Sequence, residues 1–121
     1  MAKLKINSSL TGSEDSHIFE GSGILKDINT IVYKDQEITT TIIKNNNEVE
    51  ILRRSSSYRL DLYFNENKET IGIYEINNNV LNLPIKTNKI EINENTIEIN
   101  YIINEVENFE YKINYEVIEW I

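Results

Sequence analysis

The stretch Phe109-Glu110-Tyr111-Lys112-Ile113-Asn114-Tyr115-Glu116-Val117 alternates strictly between apolar and polar side chains. In an extended chain successive side chains point to opposite faces. Phe109, Tyr111, Ile113, Tyr115 and Val117 therefore share one face, while Glu110, Lys112, Asn114 and Glu116 share the other. That spacing predicts a half-buried strand, and no helical period competes with it.

Outward from this segment the same period recurs. Ile97, Ile99, Tyr101 and Ile103 alternate with Glu98, Asn100 and Asn104, with Ile102 left as an exposed or edge-covered exception. Ile90 and Ile92 alternate with Glu91 and Asn93, and Leu81, Leu83 and Ile85 with Asn82, Pro84 and Lys86. Tyr58, Leu60, Leu62 and Phe64 alternate with Arg59, Asp61 and Tyr63. Short polar tracts separate these runs, among them Asn45-Asn46-Asn47, Asn65-Glu66-Asn67-Lys68, Asn77-Asn78-Asn79 and Asn93-Glu94-Asn95. Such tracts close hairpins. With one Pro and four Gly in the chain, the turns fall mainly to Asn, which tolerates the left-handed conformation.

The opening third is less regular. Leu4, Ile6 and Leu10 alternate with Lys3, Lys5 and Asn7, and a loop is expected at Thr11-Gly12-Ser13-Glu14-Asp15. A strand near His17 to Ser22 ends around Gly21 and Gly23, where glycine predicts a bulge or a sharp bend. Ile28 to Tyr33 and Ile38 to Ile43 read as a hairpin, and Val49 to Arg54 pairs onward. No connection is long enough for a parallel crossover. The fold class is therefore all-β: one antiparallel up-and-down β-barrel of about eight to ten strands spanning residues 1–121, since closure removes exposed edges. A barrel of that size is either filled by side chains or holds one small ligand, and both readings stay open.

The composition excludes several function classes. The net charge of −8 comes from 20 acidic and 12 basic residues, with no basic stripe interleaved with aromatics. Neither nucleic acid nor an anionic membrane surface is expected as a partner. The chain has no cysteine, which excludes disulfides, thiolate catalysis and Cys-based metal sites and fits a cytoplasmic setting. The N-terminus alternates from Lys3 onward without an apolar signal-peptide core, and no apolar run could cross a bilayer as a helix.

Several residues together carry a family resemblance. Gly23 and Tyr33 flank a bend and the next strand, with Thr40 or Thr41 in the strand after it and Arg54 ending the strand beyond the Asn run. Tyr74 lies in Ile71-Gly72-Ile73-Tyr74. Leu81, Leu83 and Thr87 form a Leu-x-Leu-x-x-x-Thr stretch, followed by Tyr101 and Tyr115. In order and spacing over nearly its full length the chain resembles the YwiB-like family of uncharacterised bacterial proteins. The resemblance implies a lipocalin-like (calycin) barrel and a ligand-binding role, without supplying a reaction. The family pattern reads Arg-x-Gly where this chain has Arg54-Ser55-Ser56, which puts the turn after the arginine in doubt.

Arg53-Arg54 is the leading candidate site. Alternation with Val49 and Ile51 turns Arg53 inward, whereas the resemblance favours Arg54. A guanidinium near the interior could clamp a carboxylate or phosphate. The alternative is a structural arginine held by backbone carbonyls or by an acid such as Asp61 or Glu75. Tyr33, Tyr74, Tyr101, Tyr115 and Thr87 are the further candidates for orienting a ligand, against core filling and hydrogen bonding to the barrel wall. His17, the only histidine, reads as a partly exposed strand residue: one imidazole makes no metal site. No nucleophile elbow accompanies it. No catalytic set, metal or cofactor is expected. The leading function is a non-enzymatic barrel binding a small anionic or amphipathic molecule. The alternative is a structural or protein-interaction module with a packed interior, docking or forming a homodimer through Ile118-Glu119-Trp120-Ile121.

Overall fold

The alternations become ten antiparallel strands in this computed structural model, which describes residues 1–13 and 16–121. They are β1 (Ala2–Thr11), β2 (Ser16–Asp27), β3 (Thr30–Asp35), β4 (Ile38–Asn45), β5 (Glu48–Arg54), β6 (Tyr58–Asn65), β7 (Thr70–Ile76), β8 (Asn79–Ile92), β9 (Thr96–Ile103) and β10 (Glu107–Trp120). Each strand pairs with its sequence neighbours, and β1 closes the circuit against β10. The result is an all-β closed barrel with an up-and-down meander, as the sequence predicts. Among the described residues there is no helix.

One apolar phase of each strand faces inward. Leu4, Ile6, Ile31, Ile42, Val49, Phe64, Ile97, Ile99 and Ile113 are each 0 or 1% exposed. Their packing fills one end of the barrel, and the opposite end is less tightly filled. Among the described residues six non-glycine residues take positive φ, and four of them are Asn46, Asn77, Asn78 and Asn104, so asparagine makes most of these left-handed turns. Ser56 is not among them. The turn after Arg54 instead closes through the Ser55 amide donating to the Tyr58 carbonyl at 2.9 Å, without a residue that glycine would favour.

Three expectations need correction. β2 does not end near Gly21 and Gly23 but runs on to Asp27, and neither glycine is a bulge. Both are points of close approach. A Cβ on Gly23 would sit 2.3 Å from Ile6 Cδ1 and 2.8 Å from the Val32 carbonyl oxygen, and one on Gly21 would meet the Phe19 ring at 2.7 Å. The following hairpin turns at Asp27 to Asn29, where the Asn29 amide donates to Asp27 Oδ1 at 2.8 Å, so Ile28 lies in the turn and not in β3. The alternations at Leu81–Ile85 and Ile90–Ile92 belong to one strand, β8, whose register shifts between Thr87 and Lys89. The bulge at Asn88 changes the phase, so odd-numbered residues point inward before it and Ile90 and Ile92 after it. Residues 14 and 15 of the expected loop lie outside the described residues, and Thr11 belongs to β1.

Candidate ligand-binding cavity

Cross-strand pairing places one inward row across adjacent strands: Gly23 opposite Tyr33, Tyr33 opposite Thr40, Thr40 opposite Arg53, Arg53 opposite Leu60 and Leu60 opposite Tyr74. From Tyr33 to Tyr74 this row borders a cavity of about 220 Å³ inside the barrel. Ile51, Leu60, Leu62, Leu83, Ile103 and Phe109 supply apolar walls, and Ser8, Tyr33, Thr40, Tyr74, Tyr101 and Tyr111 supply hydroxyls. Leu10, Arg53, His17 and Asp35 complete the lining. The volume is below the roughly 300–1,000 Å³ of drug-sized sites, so the space suits a compact molecule.

Arg53 thus faces inward, as simple alternation requires. It makes no ion pair or side-chain hydrogen bond among the described residues. Its charge is nonetheless felt inside the barrel. Burial pushes the Tyr58, Tyr101 and Tyr111 hydroxyls above their ordinary value of 10.0, and the Arg53 cation opposes that shift in each. Thr40 is 1% exposed, and its Oγ1 has no hydrogen-bond partner among the described residues. By contrast Tyr33 and Tyr111 bond to each other at 3.0 Å, and Tyr33 stacks on Phe19 with centroids 4.7 Å apart. Tyr101 packs between Phe64 and Phe109 at 4.6 and 5.4 Å, and Tyr74 meets Tyr58 edge-on at 5.7 Å.

Arg54 lies on the outer face, which corrects the expectation drawn from the resemblance. It reaches Asp61, which also accepts from Arg59 Nη2 at 2.8 Å and Arg59 Nε at 3.0 Å. The two guanidinium groups cover Asp61, leaving its side chain 1% exposed although it stands out of phase with inward Leu60 and Leu62. Burial alone would raise the Asp61 carboxyl, but the hydrogen bonds from Arg54 and Arg59 and their charges outweigh it and hold it below its ordinary 3.8. Arg54 is therefore the structural arginine, with the Asp61 partner that the sequence suggests.

Two other candidates also leave the site. Thr87 Oγ1 accepts from the Asn65 amide at 3.2 Å, joining β8 to β6 where the β6–β7 ladder has stopped at Asp61. Tyr115 lies at the filled end, its hydroxyl accepting from Lys44 Nζ at 2.7 Å and donating to the Glu94 carbonyl at 3.1 Å. The structure brings together Arg53, Tyr33, Tyr74 and Tyr101, and it adds Thr40, Ser8, His17 and Asp35. Their signal was phase: Ser8 stands in step with Leu4, Ile6 and Leu10, and Thr40 with Ile38 and Ile42. His17 is a half-exposed strand residue, as expected, with its Nε2 2.6 Å from Asp35 Oδ2. Among the described residues no group of three metal-ligating side chains occurs, and no helix is long and apolar enough to cross a membrane.

The crystal structure of the ywiB protein from Bacillus subtilis is similar, with a TM-score of 0.66 over 95% of this chain and 89% of that one. At 18% identity that likeness shows the fold alone. No curated protein matches the chain. The sequence profile of the family described as a domain of unknown function (DUF1934) matches residues 3–117, from Lys3 in β1 to Val117 in β10. With nearly every strand included in that match, the chain belongs to the DUF1934 family.

Proposed function

We propose that this protein is a non-enzymatic barrel that binds a small anionic or amphipathic molecule in its interior, in the cytoplasm. The observation that carries the reading is Arg53, an arginine lining an apolar cavity with no carboxylate partner among the described residues. A cation held partly away from water costs free energy unless an anion or hydrogen-bond acceptors compensate it. The other two arginines share Asp61, so the one that points inward is the one left to a ligand.

The test is native mass spectrometry of the protein purified from its host, beside Arg53→Leu and Arg54→Ala. A discrete bound mass in the wild type and in Arg54→Ala, absent from Arg53→Leu, is the expected result. An identical ligand-free mass in all three would overturn the reading.

A second reading rests on the exposed apolar residues Met1, Ile118, Trp120 and Ile121, each 59 to 71% exposed. A homodimer or a docked partner would cover such a patch. Sedimentation of Trp120→Ser against the wild type tests it, and two concentration-independent monomers would dismiss the homodimer.

A further inference from the structure

We infer that the ligand's acid group is a single monoanionic carboxylate, seated between the Arg53 guanidinium and the Thr40 hydroxyl. The inference rests on the interior-binding reading above and names the chemistry of its ligand.

Thr40 and Arg53 are direct cross-strand partners on β4 and β5, both facing the cavity. Opposed side chains in such a pair start from Cβ atoms about 4.5–5.5 Å apart, close enough for both to reach one small group. The Thr40 hydroxyl is buried without a partner among the described residues, a state that native proteins rarely leave uncompensated. The guanidinium of its cross-strand partner, in the same lining, offers a planar fork of N–H donors that matches the two oxygens of a carboxylate. A carboxylate taking the fork would still have a lone pair for Thr40, so both unmet groups are satisfied together.

Charge sets the ionic state. The lining contains one permanent cation, Arg53, and one acid, Asp35, whose Oδ2 is engaged by His17 at 2.6 Å. One negative charge on the ligand is balanced by Arg53. A second, as on a phosphate monoester, would have no further arginine or lysine in the lining and would share the cavity with Asp35. Leu60, Leu62, Leu83 and Phe109 then require an apolar body. The ligand class is a compact amphipathic monocarboxylate.

The experiment is isothermal titration calorimetry with octanoate, 1-octanol and octyl phosphate, using the wild type, Thr40→Val and Arg53→Leu. Thr40→Val keeps the shape and removes only the hydroxyl, and its melting temperature checks that the barrel is intact. The expected result is octanoate binding about tenfold or more tightly than either competitor, the usual worth of a charge-assisted hydrogen bond. Thr40→Val should weaken octanoate by about fivefold to tenfold and leave octanol unchanged, and Arg53→Leu should weaken octanoate further. Octyl phosphate binding as well as octanoate, or Thr40→Val leaving octanoate unaffected, would overturn the carboxylate assignment while interior binding stands. Failure of all three probes to bind the wild type would sink the assignment. Joined to a ligand-free native mass spectrum, it would sink the interior-binding reading as well.

Discussion

Arg53 and Arg54 are adjacent in sequence and have opposite roles, because a strand sends neighbours to opposite faces. Arg53 lacks a partner among the described residues, so Arg53→Leu should leave stability unchanged or raise it by up to about 1 kcal/mol while removing ligand. Chemical denaturation at constant m reads that difference. Asp61 behaves in the opposite sense. Asp61→Ala strands two guanidinium groups and should cost about 1–3 kcal/mol, discounted from a fully buried pair because both arginines are near half exposed. The same site makes the fold acid-sensitive. The folded-state value of Asp61 lies below its ordinary 3.8, so its contribution is present above about that pH and is lost as pH falls through the depressed value. Wild-type stability should therefore fall below about pH 4 more steeply than that of Asp61→Asn, which lacks the titrating group. Parallel acid slopes in urea melts of the two proteins would refute this account. At this scale the sequence was readable by phase. Polar residues in step with inward apolar ones, such as Ser8, Thr40, Arg53 and Thr87, do face the interior. Asp61 broke that rule, since its burial comes from Arg54 and Arg59 lying over it, and alternation carries no information about a neighbour's reach.

At the scale of the strand, two devices shape the barrel. β2 passes β1 and β3 so closely at Gly23 that a methyl group there would strike the Val32 carbonyl oxygen, which cannot rotate away. Gly23→Ala should therefore cost about 1–3 kcal/mol, as overpacking usually does. Gly21→Ala meets only the Phe19 ring and should cost less, because a side chain can move aside. Equal losses in the two variants, measured by urea midpoints, would contradict this ordering. The second device is the bulge at Asn88. Deleting Asn88 removes the phase change and turns Ile90 and Ile92 outward, or forces the pairing with β9 to slip. Part of the burial of two isoleucines is lost either way, and about 2–4 kcal/mol of stability with it. The shift from odd to even apolar positions between Ile85 and Ile90 is visible in the sequence as two separate alternations. That they form one strand was not, because a bulge and a turn both appear as an interruption of period two.

For the whole molecule, closure is what makes an interior at all. Tyr101 and Tyr111 have hydroxyls pushed well above 10.0 by burial, so they stay neutral in the fold when exposed tyrosines have ionised. A group whose folded value is raised supports the fold fully below its unfolded value, and that support fades as pH rises beyond it. Stability should therefore decline above about pH 10, with the last part of the tyrosinate absorbance, that of Tyr101 and Tyr111, appearing together with unfolding and not before it. Early tyrosinate absorbance for all seven tyrosines, with the fold intact, would mean that the interior is open to hydroxide. The sequence alone determined the antiparallel all-β meander and its inward faces, because period-two alternation and polar turns are local properties of the chain. Alternation with Val49 and Ile51 favoured Arg53 as the inward arginine, but the resemblance favoured Arg54, and the structure decided for Arg53. Only the tertiary structure decided that there are ten strands, that Arg54 is neutralised by Asp61, and that Thr87 and Tyr115 serve the wall and the filled end. It alone showed that the interior keeps a cavity beside Arg53 and Thr40. Those outcomes depend on how strands far apart in sequence stagger around the closed circuit, and on how much volume their side chains leave unfilled. Neither quantity belongs to any one segment.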